Sequence, residues 1–135
     1  MDQALNILVV DDSQILRQDL RNRFESLGHR VVGEAENGLE ALDLIKELSP
    51  DLVSLDIIMP EMDGLECYRI MRSLSYPPRC LIVSALADEP RVIETYEKEI
   101  EPNHYASKTC SLDELAEKLS HVMAMPPLPI PESHE

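Results

Sequence analysis

Tryptophan is absent from this chain, phenylalanine occurs once and tyrosine four times. A core with so little aromatic volume must be assembled from Leu, Ile, Val, Ala and Met. Cysteine is almost as scarce. Cys67, Cys80 and Cys110 are odd in number and no two form a C-x-x-C pair, which argues against a disulfide framework or a thiolate zinc site. Three reduced, partly buried thiols are expected instead. Long apolar runs are missing as well. Nothing approaches the ~18 apolar residues of a membrane span, and Met1-Asp2-Gln3-Ala4 lacks the basic and apolar regions of a secretory signal. The expected location is the cytoplasm, with no membrane contact. Positive charge is the last scarcity: 12 Lys and Arg stand against 26 Asp and Glu, for a net charge of −14. Such a field repels phosphate backbones, so no direct nucleic-acid binding is expected. It favours metal cations and basic protein surfaces, although plain solubility accounts for the same charge.

What is present fits one domain. The chain has 135 residues, of which 44% are hydrophobic, enough for a single core and too little for two. Strand and helix alternate five times. Asn6 to Val10 reads as a buried strand, and Ser13 to Leu27 as a helix with Ile15, Leu16, Leu20, Phe24 and Leu27 on one face and Gly28 past its end. Arg30 to Glu34 is a short strand centred on Val31 and Val32. Gly38 to Leu48 is a helix with Leu39, Leu42, Ile45 and Leu48 in register, and Leu52 to Leu55 a fully buried strand. Gly64 to Leu74 is a third helix that Asp63 would cap, followed by a turn at Tyr76-Pro77-Pro78 and a strand from Cys80 to Ser84. Pro90 suits the first turn of a fourth helix bearing Val92, Ile93, Tyr96 and Ile100, which Pro102 stops. His104-Tyr105-Ala106 is a short fifth strand. Leu112, Leu115, Leu119 and Val122 mark a last helix with Ser111 as its cap.

Continuous apolar strands alternating with helices predict an α/β fold, a doubly wound parallel sheet with helices on both faces. We adopt the strand order 2-1-3-4-5, which comes from known folds of this kind rather than from these residues. The domain is assigned to residues 1–124. Residues 125–135, with Pro126, Pro127, Pro129 and Pro131, read as a tail or linker of extended polyproline character.

The chemistry lies at the strand ends. Ile7-Leu8-Val9-Val10 is stopped by Asp11-Asp12, and Leu52-Val53-Ser54-Leu55 by Asp56. In open α/β sheets ligands bind at the carboxyl edge, where the strand order switches direction, and this order makes strands one and three neighbours there. Converging carboxylates repel one another unless a cation is present. A hard divalent cation is therefore expected, with one carboxylate available for chemistry. Singly, each residue has a plainer reading: Asp11 or Asp12 as a helix cap, Lys108 as a surface lysine, Ser84 as a strand-end hydroxyl, Tyr105 as core packing. Asp63-Gly64 is better read as cap and turn.

Together these residues resemble a known family. Asp11-Asp12, the segment Asp56-Ile57-Ile58-Met59-Pro60-Glu61-Met62-Asp63-Gly64, Ser84-Ala85, and Tyr105 three residues before Lys108 match the response-regulator receiver domains of two-component signalling. The resemblance runs from about Leu5 to Met123 and implies a flavodoxin-like fold. It implies that Asp56 is the phosphoacceptor, taking a phosphoryl group from a phosphohistidine on a sensor histidine kinase or phosphotransfer protein. Mg²⁺ would be held by Asp12 and Asp56, by Asp11 mainly through water, and by the Ile58 backbone carbonyl. Lys108 would sit against the phosphoryl oxygens. Ser84 would hydrogen-bond one of them, and Tyr105 would follow inward. That motion would remodel the face of the fourth helix, fifth strand and last helix, which would control a protein partner or an attached output domain. The chain would be a switch rather than an enzyme.

Two departures stand out. The family usually has proline after the lysine, joined by a cis bond, where this chain has Thr109. A non-proline cis bond costs about 3–4 kcal/mol, so either that strain is tolerated or the bond is trans and Lys108 reaches the site differently. Glu99-Ile100-Glu101-Pro102 replaces a turn that often contains glycine, and Glu89, Glu94, Glu97 and Glu99 make the fourth helix acidic for a docking surface. Ile58 and Leu86 match positions flanking the path of the attacking water. Being apolar, they cannot orient that water, and slow self-dephosphorylation is expected. Two other functions remain open. An aspartyl-phosphate phosphatase of haloacid-dehalogenase type needs a second acid where Ile58 stands. A degenerate receiver would be a passive protein-binding module, against which the complete carboxylate trio counts.

Overall fold

The computed structural model describes residues 4–56, 64–74, 77–84 and 105–124. Expectations for Ile58, Asp63, Leu86, the fourth helix and its glutamates, Pro102, His104 and the tail lie outside the described residues. The described elements are β1 (Asn6–Val10), α1 (Gln14–Ser26), β2 (Arg30–Ala35), α2 (Gly38–Leu48), β3 (Leu52–Leu55), α3 (Gly64–Met71), β4 (Arg79–Ser84), β5 (Tyr105–Ser107) and α4 (Leu112–Ala124). The five strands form one parallel sheet in the order β2-β1-β3-β4-β5.

The sheet carries a core on each face because side chains alternate along a strand. Leu8, Val10, Val53, Leu55, Cys80, Ile82 and Tyr105 pack with Ala41, Leu42 and Ile45 of α2 and with Cys67, Tyr68 and Met71 of α3. Ile7, Val9, Leu52, Leu81, Val83 and Ala106 pack on the other side with Leu20 and Phe24 of α1 and with Leu115, Leu119 and Val122 of α4. Burial on both faces explains why the inner strands are apolar almost throughout, with Ser54 of β3 a buried exception. Phe24, the only phenylalanine, is fully buried, and truncation to alanine in such a place costs about 3–5 kcal/mol. Cys67, Cys80 and Cys110 are free thiols, the first two buried. Among the described residues no helix is long and apolar enough to cross a membrane.

Helix ends follow local chemistry. Ser13 caps α1, its hydroxyl accepting the Leu16 N–H at 3.3 Å. Gly28, at φ 92°, ends the helix: its N–H donates to the Glu25 carbonyl while the His29 N–H donates to that of Phe24. That pair of bonds is a Schellman motif, and the left-handed position favours glycine. Asn37 caps α2, accepting the Glu40 N–H at 2.8 Å, while the Glu40 carboxylate accepts the Glu36 N–H at 2.9 Å. Ser111 caps α4 through the Glu114 N–H at 3.1 Å. The third helix is shorter than its sequence suggests. It stops at Met71, and the Ser73 hydroxyl donates to the Ile70 carbonyl at 2.7 Å, a local bond that competes with further helix.

Several predicted faces are corrected. Ile15 is 80% exposed, since at 3.6 residues per turn it stands about 140° around the helix from Leu20. Leu39 is 51% exposed and Leu48 partly so. A strict three-residue spacing drifts about 60° per step, so Leu39 and Leu48, the first and last of four such positions, face opposite ways. The buried stripe of α2 is Gly38, Ala41, Leu42 and Ile45. Leu112 likewise faces solvent. Val32 is the extra residue of an irregularity in which Ile7 pairs with Val31 but Leu8 with Gly33, and it is displaced outward. Gly33 is close-packed there: a Cβ would lie 2.8 Å from Leu48 Cδ1 and 3.3 Å from Leu8 Cδ1.

Candidate functional site

Val10 and Leu55 are paired across β1 and β3, so Asp11 and Asp56 follow them side by side at the carboxyl edge. The hydrogen-bond ladder runs one step past the strands: Asp11 N–H donates to the Ala35 carbonyl and Asp56 N–H to that of Val10, each at 3.0 Å. Both carboxylates are buried, Asp11 fully and Asp56 to within 5% of its surface, whereas Asp12 is exposed. One oxygen from each of the three carboxylates lies within 4.8 Å of the others.

Asp11 is held along its backbone and at one carboxylate oxygen. Its Oδ1 accepts the Ser13 N–H at 2.9 Å, and its backbone carbonyl accepts from Arg17 Nη1 at 2.6 Å. The helix-cap reading of Asp11 is thus partly right: it bonds the turn before α1 while Ser13 supplies the cap. Arg17 is itself held by Glu34 at 3.0 Å, and Arg21 pairs with the same carboxylate at 2.8 Å. Burial pushes the Glu34 carboxyl up, and the two guanidiniums more than reverse this, holding it below the usual range.

Lys108 closes the site from the far side. Its Nζ lies 2.6 Å from Asp11 Oδ2 and 3.3 Å from Asp56 Oδ2. Burial pulls the ammonium down in pKa, but the two carboxylates outweigh it and the net shift is upward, so Lys108 stays charged. No peptide bond among the described residues is cis. The Lys108–Thr109 bond is therefore trans, and the lysine reaches both buried carboxylates without the family's cis proline.

Ser84, the last residue of β4, is buried, and its carbonyl accepts the Lys108 N–H at 3.3 Å. Tyr105 opens β5 and is buried in the cluster with Leu55 and Ile82. The structure thus gathers Asp11, Asp12, Asp56 and Lys108 at one point and sets the Ser84 backbone beside Lys108, while Ile58 is outside the described residues. Two arginines join the site's supports without a sequence signal. Arg17 and Arg23 sit on an amphipathic helix, where basic residues ordinarily read as solvent-facing.

The donor set suits a hard divalent cation. Three carboxylates against one ammonium leave a formal charge of −2, and all available ligand atoms are oxygens, the donors that an ion such as Mg²⁺ would take.

Residues 7–120 match the response regulator receiver domain family. The chain belongs to that family. The receiver is 40% identical over 91 residues to the chemotaxis protein CheY of Bacillus subtilis, covering 67% of this chain and 76% of that protein. It is 47% identical over 81 residues to a protein-glutamate methylesterase/protein-glutamine glutaminase of Hahella chejuensis, which is 60% of this chain but 23% of that longer protein. Its backbone superposes on the response regulator domain of Thermotoga maritima CheB with a TM-score of 0.78 at 31% identity, covering 93% of this chain and all of that domain. The fold and family expected from the sequence are therefore borne out.

Proposed function

We propose that this receiver is a phosphorylatable switch with Asp56 as the phosphoacceptor. The observation that carries the reading is the buried Asp11 and Asp56 pair, joined by Asp12 and spanned by the Lys108 ammonium. A carboxylate oxygen of Asp56 attacks the phosphorus of a phosphohistidine on a sensor histidine kinase or phosphotransfer protein. The O–P bond forms, the N–P bond breaks, and the departing imidazole keeps the electron pair and takes a proton. Asp11, Asp12, Asp56 and the Ile58 carbonyl are the residues that would hold Mg²⁺, which when bound offsets the charge of an anion entering an acidic pocket. Lys108, already charged, exchanges part of its pairing with Asp56 for the phosphoryl oxygens. The Ser84 hydroxyl donates to one of those oxygens, and Tyr105 shifts toward the vacated space.

The readout is the surface around β5 and α4, with the predicted fourth helix, acting on a protein partner or an attached output domain. A cytoplasmic setting suits this exchange with a kinase. The chain's own chemistry is limited to gaining and losing its phosphate, and apolar Ile58 and Leu86 make the loss slow. Incubation with a small-molecule phosphodonor and Mg²⁺ should add one phosphate to the wild type and none to Asp56→Asn, read by intact-protein mass spectrometry. Equal incorporation in the two would refute Asp56 as acceptor. A phosphorylated lifetime of only seconds would refute the role given to Ile58 and Leu86.

A further inference from the structure

The turn that carries Lys108 is held in an unusual way. Arg23, in the last turns of α1 and more than eighty residues away in sequence, reaches across to it. Its Nη1 donates to the Lys108 carbonyl at 3.0 Å, and its Nη2 donates to the Cys110 carbonyl and touches Cys110 Sγ at 3.6 Å. Among the described residues no carboxylate pairs with Arg23, although acidic side chains outnumber basic ones 26 to 12. A half-buried guanidinium whose partners are loop carbonyls is acting as a clamp, since its planar fork suits two acceptors at once. The remaining bonds of the turn agree. Lys108 N–H is taken by the Ser84 carbonyl at 3.3 Å, and Cys110 N–H by the Ser107 carbonyl at 3.1 Å. The Ser107 and Thr109 hydroxyls lie 2.9 Å apart, and Thr109 N–H donates to Ser107 Oγ at 3.2 Å. The Lys108 backbone is therefore gripped on both sides, by β4 at its N–H and by α1 at its carbonyl.

We propose that Arg23 is a positioning residue: by clamping the Lys108 and Cys110 carbonyls it fixes a trans Lys108–Thr109 turn so that the Lys108 ammonium meets Asp11 and Asp56. It supplies the rigidity that the family's pattern obtains from proline after the lysine. Thr109 leaves φ free where proline would fix it, and Ser107, Thr109 and Arg23 together compensate. The inference rests on the phosphoacceptor reading for its consequence in rate, but not for its consequence in the turn itself.

A double-mutant cycle with acetyl phosphate as donor, at saturating Mg²⁺, separates positioning from general destabilisation. Arg23→Ala should slow phosphorylation on the order of tenfold, as expected for a misplaced charged group. In a Lys108→Ala background the same change should alter the rate less than about twofold. Arg23→Lys, which keeps one donor to one carbonyl, should recover part of the rate. Equal slowing in both backgrounds, or no slowing in the Lys108-containing protein, would overturn the proposal. Amide hydrogen exchange supplies a readout independent of phosphate. Arg23→Ala should speed exchange at Lys108, Thr109 and Cys110 while leaving β1 and β3 unchanged; unchanged exchange in the turn would overturn the clamp. If the wild type takes no phosphate, the phosphoacceptor reading fails and the exchange result alone decides the role of Arg23.

Discussion

Glu34 sits two steps from the acidic site, yet its charge supports it. Its carboxylate holds Arg17 at 3.0 Å and Arg21 at 2.8 Å, and Arg17 in turn holds the Asp11 carbonyl at 2.6 Å. Replacing Glu34 by Gln leaves the partly buried Arg17 and Arg21 guanidiniums without their shared counter-charge, and the expected loss is about 1 kcal/mol. The pH dependence has a definite sign. The folded pKa of Glu34 lies below its ordinary 4.5. The pairing therefore stabilises fully above that ordinary value and is lost as pH falls through the lowered folded value. Glutamine does not titrate, so the gap between wild type and Glu34→Gln should be widest at neutral pH and close in acid. Urea unfolding across that range measures it, and a gap that stays constant into acid would mean packing, not charge, is responsible. Lys108 runs the opposite way. Its pKa is raised, so its pairing stabilises below the ordinary lysine value and fades only in strong alkali.

Among the elements, α2 depends most visibly on its first turn. Asn37 and Glu40 between them satisfy the Glu40 and Glu36 N–H groups, a reciprocal arrangement close to a capping box. Asn37→Ala should cost about 1 kcal/mol and Asn37→Gly only a few tenths, measurable as a thermal or urea midpoint shift. No loss in Asn37→Ala would mean that the bond from the Glu40 N–H contributes nothing to the helix. The same element shows where sequence reasoning reaches its limit. Inner strands were legible because burial on both faces leaves only apolar residues from Ile7 to Val10 and, Ser54 apart, from Leu52 to Leu55, and the charge that follows marks the edge. Helix faces were less so: leucines spaced by three invite a stripe that helical geometry does not keep, and Ile15 is apolar without being core. Asp11, Asp12, Asp56 and Lys108 could be named because strand ends converge by topology. Arg23 could not, because what it binds is backbone carbonyl 85 residues away, and carbonyls have no sequence signature.

For the whole molecule, the −14 net charge and the acidic pocket make separate demands on cations. Diffuse repulsion among surface carboxylates is screened by any salt within a Debye length. The pocket should instead prefer a divalent ion with hard oxygen ligands. A cation that binds only the folded state stabilises it by RT ln(1 + [L]/Kd), about 2.7 kcal/mol at a hundredfold excess over Kd, or several degrees in Tm. Lys108 opposes this, since its ammonium already occupies Asp11 Oδ2 at 2.6 Å and Asp56 Oδ2 at 3.3 Å and must yield part of that pairing. At matched ionic strength, MgCl2 should therefore raise Tm more than KCl in the wild type. The excess should grow in Lys108→Ala, where nothing competes for the carboxylates. It should vanish in Asp12→Asn, which removes one charge from an exposed position and leaves the buried pair and the fold intact. Calorimetric melting of the three proteins in the two salts measures all of this. Identical shifts in MgCl2 and KCl would reduce the carboxylate trio to one more part of an acidic surface; a Mg²⁺ excess lost with Asp12 would give that exposed residue the role its neighbours' burial only suggests.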